Sequence, residues 1–476
     1  MAVKELRPLQ EIDLAFHLSM PRSINLSDPG TGKTPPVVVY QYALWTLEKV
    51  RSAWAMPLSL MEKNRKEILE FTDFKPEDVV IVSGSKARRT KLMKMDAKVF
   101  IMGFSCFSTN WRELRSYHPD LNALQVDEIH LGYGGDTSQR TQALYDAMDE
   151  IKYFLPMTGS LINGRLSSAY PVIHILDPTL YTSYEHFLIR HAIEDESGKI
   201  VAWRNPKPIA DVLRKYGIRH TFEEVYGKEA KIVINEQCQM DPQQRIAYDE
   251  FAENAILELE ESWLEGTLPG VNFIRCRQLM EHPQTFGAPL DQIKLTGKEQ
   301  RLLIHLENAK ETKKPIVIFA ALVPSQERIV QICKDMGLRV GLINGTVSLK
   351  KRNEIDLAFQ AGEYDVVVAS PATAGVGFNW GHVDIVIFMS IDFMDSSFLQ
   401  GYRRAMRGVR KTHLLIYVME YEDSVDQRIF KIVETKSAMA VAVDETQVQV
   451  KISAAKVRPP PPMRDSPPTM QNRSCK

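Results

Sequence analysis

The sequence predicts an α/β protein made of two tandem parallel-sheet lobes, and three observations carry that expectation. The first is the stretch Ser23–Thr34, in which an apolar strand gives way to a tight glycine-bearing loop and then to Lys-Thr opening a helix. The second is an apolar strand, Leu121–Val126, that runs straight into the adjacent carboxylates Asp127 and Glu128. The third is a second alternation of strands and helices, starting at Pro315 and lacking a phosphate loop of its own. Strands alternating with helices imply parallel sheets whose chemistry sits at the strands' carboxyl ends.

Taken in order, Leu6-Arg7-Pro8-Leu9-Gln10 opens a helical pattern that runs through Phe16 and Leu18. A Gln just upstream of a phosphate loop can present its amide, donor and acceptor together, to the edge of adenine, so Gln10 is a candidate adenine contact. The loop Pro29-Gly30-Thr31-Gly32-Lys33-Thr34 aims backbone N–H groups at phosphates. Gly30 and Gly32 let the chain wrap closely, Lys33 supplies a point charge to the β and γ oxygens, and Thr34 offers its hydroxyl to Mg²⁺. Ser27 stands where this pattern usually has Gly or Ala. ATP and Mg²⁺ are therefore the expected ligands.

A helix is expected over Pro35–Leu47, a strand over Val50–Pro57, a helix over Lys63–Phe71 and strands over Asp78–Val82 and Val99–Phe104. Between the last two lie Lys86, Arg88, Arg89, Lys91 and Lys94, which suit either a phosphate backbone or a solvated helix face. Behind its strand, Asp127 is expected to hold Mg²⁺ through water and Glu128 to polarise the attacking water. A short strand, Leu155–Ser160, ends in hydroxyls.

The glycine-lysine loop, Asp127-Glu128-Ile129-His130 and Thr158-Gly159-Ser160, in this order, resemble the first motor lobe of a superfamily-two helicase, more particularly of the Swi/Snf-type DNA translocases. Leu161 follows where that family usually has proline. Tyr216–Thr221, Met240–Tyr248 and Ile274–Pro283 are similar to three inter-lobe segments of the same family. Strands are expected over Pro315–Ala320, Arg339–Ile343, Asp365–Ser370 and Ile385–Phe388, with a glycine turn, Thr373–Asn379, before the last. On a helix, Gln400, Arg404 and Arg407 share one face at i, i+4 and i+7, the arrangement of an arginine finger.

By this resemblance the fold is two RecA-like lobes with helical inter-lobe insertions: lobe one over residues 1–165, an inter-lobe region over 166–295, lobe two over 296–450 and a Pro-rich basic tail over 451–476 that buries little and is expected to be disordered. Arg404 and Arg407 take the finger roles. Gly377 of the glycine turn and Gln400 join the nucleotide contacts. Pro57, Ser59, Gly103, Ser105, Thr373 and Ala374 are the expected DNA contacts, whereas Arg403 has no assigned counterpart. The implied activity is DNA-stimulated ATP hydrolysis coupled to movement on duplex, forked or branched DNA, in a compact monomer of the phage or bacterial kind. An RNA helicase of the same superfamily and an ATP-gated nucleic-acid clamp that does not move remain the rival readings.

Composition bounds the rest. Of 476 residues, Lys and Arg number 59 against 60 Asp and Glu, a net charge of −1, so any nucleic-acid surface must be local. The five cysteines form no Cys-x-x-Cys pair, which speaks against a zinc ribbon or a disulfide framework. The amino terminus lacks the apolar core of a signal peptide and no run reaches the length of a membrane span, so a soluble cytoplasmic protein with no membrane partner is expected.

Overall fold

The computed structural model describes residues 4–159, 161–162, 166–194, 198, 200–227, 230–265, 270–374, 378–391, 395–406, 410 and 412–429. The strands of its amino-terminal half are β1 (Ile24–Asn25), β2 (Arg51–Met56), β3 (Val79–Val82), β4 (Val99–Gly103), β5 (Leu121–Asp127) and β6 (Tyr153–Met157). They are followed by an antiparallel ribbon of β7 (Ala192–Glu194) and β8 (Ile200–Trp203), and by β9 (Gly217–Ile218). The first sheet has seven strands in the order β3-β4-β2-β5-β6-β1-β9, all parallel.

A parallel sheet covered on both faces needs strands that are apolar throughout rather than alternating. Strand β2 meets this requirement: Ala53 and Ala55 pack with Phe100, Met102 and Leu124 on one face, Trp54 and Met56 with Ile101, Ala123 and Leu155 on the other. The helix Thr34–Glu48 covers the second face through Val37, Val38, Tyr40 and Leu44, and it stops where Lys49 turns left-handed at φ 57°. Because Pro35 and Pro36 start that helix without asking for backbone N–H partners, its amino end is free to face the loop before it.

The second sheet comprises β10 (Lys231–Cys238), β11 (Ile316–Phe319), β12 (Val340–Ile343), β13 (Val366–Ala369), β14 (Ile385–Phe388) and β15 (Leu414–Tyr421). Its six strands lie parallel in the order β10-β15-β14-β11-β13-β12. Strands β11, β13 and β14 are buried at every position, as central strands must be. The fold is thus mixed α/β with two parallel sheets, as the alternation of strands and helices predicts.

Two features differ from the sequence expectation. Residues 166–295, expected as a helical insertion, give one strand to each sheet: β9 pairs with β1 through Ile24–Gly217 and Asn25–Ile218, and β10 runs beside β15 from Lys231–Leu414 to Cys238–Tyr421. The helix expected to carry Gln400, Arg404 and Arg407 on one face closes earlier, as Asp395–Arg403. Beyond it the N–H groups of Arg404, Ala405 and Met406 bond to the carbonyls of Gly401, Tyr402 and Arg403, three residues back, so Arg404 stands in a tightened turn and not on a continuing helical face. Arg407, Gly377, Ser160 and the Pro-rich tail lie outside the described residues.

Candidate nucleotide site between the lobes

Strand β1 delivers the chain into the loop 26–33, and the loop's shape is set by glycine. Gly30 and Gly32 both sit at φ +90°, a backbone region that side chains other than hydrogen rarely adopt. A Cβ on Gly32 would also run into the Arg7 guanidinium and the Gln10 amide. Thr31 closes the turn by donating from its hydroxyl to the carbonyl of Asp28 at 2.8 Å. Ser27, the departure from the usual loop pattern, is buried and its Oγ accepts the N–H of His220 at 3.0 Å. Its hydroxyl therefore ties the loop to the segment that follows β9.

Gln10, the candidate adenine contact, reaches the loop, and its amide is engaged by protein. Its Oε1 accepts the N–H of Arg7 at 2.9 Å and its Nε2 donates to the carbonyl of Gly32 at 2.8 Å. Arg7 itself donates from Nη2 to the carbonyl of Thr31 at 2.5 Å, and Tyr226 donates to the carbonyl of Gly30 at 3.2 Å.

Opposite the loop, β5 ends at Asp127 and Glu128 adopts the left-handed region at φ 47°, ψ 53°. A non-glycine residue held there costs about 1–2 kcal/mol, and the turn directs its carboxylate at the loop. Lys33 Nζ lies 3.5 Å from Glu128 Oε1, and His130 Nδ1 lies 3.6 Å from Oε2. His130 Nδ1 also hydrogen-bonds Thr158 Oγ1 at 2.7 Å, so the carboxylate pair is tied to the end of β6. Asn64 donates to Asp127 Oδ2 at 3.2 Å.

The two carboxyls are pushed in opposite directions. Burial and the neighbouring Glu128 raise Asp127 to about 6, against the pull of Lys33 and Asn64. Burial would raise Glu128 too, but Lys33, His130 and Arg404 more than offset it and hold Glu128 below the usual carboxylate range. A pair split in this way keeps one carboxylate ionised beside a lysine, which is what orienting a water requires.

Lys33, Thr34, Asn64, Asp127, Glu128 and Arg404 line one cavity of about 180 Å³. Arg404 comes from the second sheet's lobe and is 7% exposed. The structure thus brings together Pro29, Gly30, Gly32, Lys33, Thr34, Asp127, Glu128 and Arg404 of the predicted site. Gln400 is buried one turn before Arg404 and is not part of the cavity's lining. Of the expected DNA contacts, Pro57 follows β2 and Ser59 lies in the short helical turn after it; Gly103 ends β4 and Ser105 is exposed in the next helix; Thr373 and Ala374 follow β13. All six occupy the carboxyl edges of their sheets, clear of the cavity lining.

Lys33 Nζ, Glu128 Oε2 and His130 Nε2 are buried and make no hydrogen bond among the described residues. Buried polar atoms that make no hydrogen bond are costly, and a lysine and a carboxylate that meet only at 3.5 Å on the cavity wall, with the His130 imidazole beside Glu128, fit a phosphate chain with its metal and a water. Lys33 and the loop N–H groups would hold phosphates; Thr34 and Asp127 would hold Mg²⁺, which when bound neutralises charge on the phosphate oxygens. Glu128 would orient the water, and Arg404 would face charge developing on the far side.

Sequence reasoning missed several residues of this site. Asn64 sits inside a helix with no motif of its own. Arg7, Asp28, Arg219 and Tyr226 act through contacts between segments some 200 residues apart in the chain, as in the Tyr226–Gly30 bond with its separation of 196.

The pattern of the family described as "Helicase conserved C-terminal domain" matches residues 297–409. The chain is 20% identical over 398 residues to the Chromodomain-helicase-DNA-binding protein 3 homolog of Caenorhabditis elegans, covering 79% of this chain and 21% of that protein. It is 19% identical over 485 residues to the DNA repair protein rhp54 of Schizosaccharomyces pombe, covering 89% of this chain and 56% of that protein. Across five of the curated relatives it matches, the chain spans between 21% and 56% of their length. In fold it is similar to the Hef helicase domain of Pyrococcus furiosus, at a TM-score of 0.52, 14% identity, 90% of this chain and 97% of that one. Two parallel-sheet lobes and a phosphate loop opposed by Asp127 and Glu128, together with these relatives, make the chain similar to the Swi/Snf-type superfamily-two helicases.

Proposed function

We propose that this protein is an ATP-dependent DNA translocase in which hydrolysis between the lobes drives stepping along DNA. The observation that supports the reading most is Arg404 of the second lobe lining the same cavity as Lys33 and Glu128 of the first. A site completed by two lobes is completed only when they are docked, so turnover and lobe movement are linked. Lys33, Asp127, Glu128 and Arg404 are the proposed catalytic groups, with Arg407 as a second finger; Thr34 and Asp127 bind Mg²⁺. Pro57, Ser59, Gly103, Ser105, Thr373 and Ala374 are the proposed DNA contacts, and their place at the sheets' carboxyl edges suits a track crossing both lobes. Forked or branched DNA is the substrate class proposed.

The test is an ATPase assay with single-stranded, duplex, forked and four-way DNA and with RNA, joined to displacement of a third strand from a triplex. Stimulation by duplex or branched DNA with strand displacement is expected. Stimulation by RNA alone would replace this reading with an RNA helicase. Hydrolysis without displacement would replace it with a clamp.

A further inference from the structure

Arg403, the neighbour of the proposed finger, does not point into the cavity. Its Nη2 lies 2.9 Å from Asp28 Oδ2 of the phosphate loop, with the two side chains 9% and 11% exposed. The pair joins the second lobe to the first. Asp28 is also held from a third direction: Phe222 donates its N–H to Oδ2 at 3.1 Å, and Arg219 Nη2 lies 3.4 Å from Oδ1. The Arg403 guanidinium further rests 5.6 Å from the centre of the Phe222 ring, the ring that a Cβ on Gly30 would touch at 3.8 Å. The backbone of Asp28 shapes the loop as well, its carbonyl accepting from both the N–H and the hydroxyl of Thr31.

Burial alone would raise the Asp28 carboxyl, yet Arg403, Arg219 and the Phe222 N–H hold it below the ordinary carboxylate range. An ionised carboxylate this buried is tolerable only while its cations stay. Of its partners, Arg219 follows β9 and travels with the first sheet, whereas Arg403 travels with the second and the Phe222 ring packs into the second sheet's core. Moving the lobes apart removes Arg403 and leaves Arg219.

We infer that Asp28 is a docking point through which Arg403 couples the position of the second lobe to the shape of the phosphate loop, and hence to nucleotide affinity. Arg403 is in this view a positioning residue, distinct from Arg404 beside it, which faces the cavity. The inference rests on the nucleotide reading of that cavity and adds a second, separable role to the same turn of chain.

The test compares Arg403→Gln, Arg403→Lys, Asp28→Asn and the double variant Asp28→Asn/Arg403→Gln in the full chain. Three quantities are read: Kd for a non-hydrolysable ATP analogue with Mg²⁺, the KM and kcat of ATP hydrolysis, and the radius of gyration by small-angle X-ray scattering without nucleotide. For Arg403→Gln a rise in analogue Kd and KM of about tenfold is expected, from the usual size of coupling between contacting charges, with kcat at saturating ATP near wild type. Its radius of gyration should increase. Arg403→Lys should stay within about threefold of wild type, since a single N–O contact can be made by an ammonium, and the double variant should bind no worse than the worse single one. Wild-type analogue affinity and radius in Arg403→Gln, a Lys variant no better than Gln, or strict additivity in the double variant would each overturn the inference. Should Asp28→Asn fail to fold, the Gln and Lys pair at Arg403 decides alone. Absence of ATP turnover in the wild type would contradict the proposed function, while the analogue affinity and the radius would still judge the docking point.

Discussion

Replacing Arg404 by glutamine removes one cation from the proposed reacting centre while keeping a side chain of similar reach. Arg404 is among the groups that hold Glu128 ionised, behind Lys33 and His130, and it belongs to the cavity wall. Arginine fingers contribute about 10³–10⁵ in rate, equivalent to about 4–7 kcal/mol at 1.36 kcal/mol per decade. The lower end is expected here, because Lys33 remains 3.5 Å from Glu128 and keeps that carboxylate charged. Ground-state binding should change little, since the loop's N–H groups, Lys33 and Thr34 all come from the first lobe. The expected result in a coupled-enzyme ATPase assay at saturating duplex DNA is therefore a kcat lower by about 10³, with Kd for a fluorescent ATP analogue within about threefold of wild type. A kcat within tenfold of wild type would refute the reasoning, for it would mean that the second lobe supplies no charge to the transition state.

Three further outcomes follow from the geometry. Gly32→Ala should lower stability by about 1–3 kcal/mol and abolish analogue binding, because a Cβ at φ +90° is strained and also meets Arg7; thermal melting and a binding titration check both. Ser27→Ala should cost about 1 kcal/mol, seen as a lower urea midpoint, since the His220 N–H loses its acceptor. His17 is fully buried and burial lowers it to about 4, against the opposing pull of Asp13. The unfolded chain takes up a proton near pH 6.5 that folded His17 refuses. Stability is therefore complete above that pH and falls on acidification towards pH 4, by on the order of 3 kcal/mol, and urea melts of His17→Gln should lack that part of the slope.

Much of the fold was readable because each lobe's strands are continuous apolar runs bounded by polar turns. Strands such as Ile385–Phe388 and helices such as Thr34–Glu48 declare themselves locally. What escaped depends on distant pairing. Strand β9 is two residues long, containing Gly217, and only the proximity of β1 makes it a strand. Strand β10 is an edge with Ile232 and Val233 exposed, so no buried-face pattern marks it. At the site, Lys33, Asp127 and Glu128 were legible because phosphate chemistry demands those residue types beside glycines and after a strand. The Arg404 assignment rested on helical spacing, whereas the observed helix ends at Arg403 and a tightened turn presents Arg404 instead. Asp28 and Arg403 carried no motif, and their pairing exists only once the lobes meet.

The central claim is that Glu128, held ionised at the end of β5 by Lys33, drives ATP hydrolysis in a cavity that both lobes build. Steady-state ATP hydrolysis by wild type and Glu128→Gln, each with and without duplex DNA, tests it most directly. The account predicts DNA-stimulated turnover in the wild type and a loss of at least about 10² in the glutamine variant with analogue binding intact. Equal rates in the two proteins, or no hydrolysis by the wild type with any nucleic acid, would contradict it.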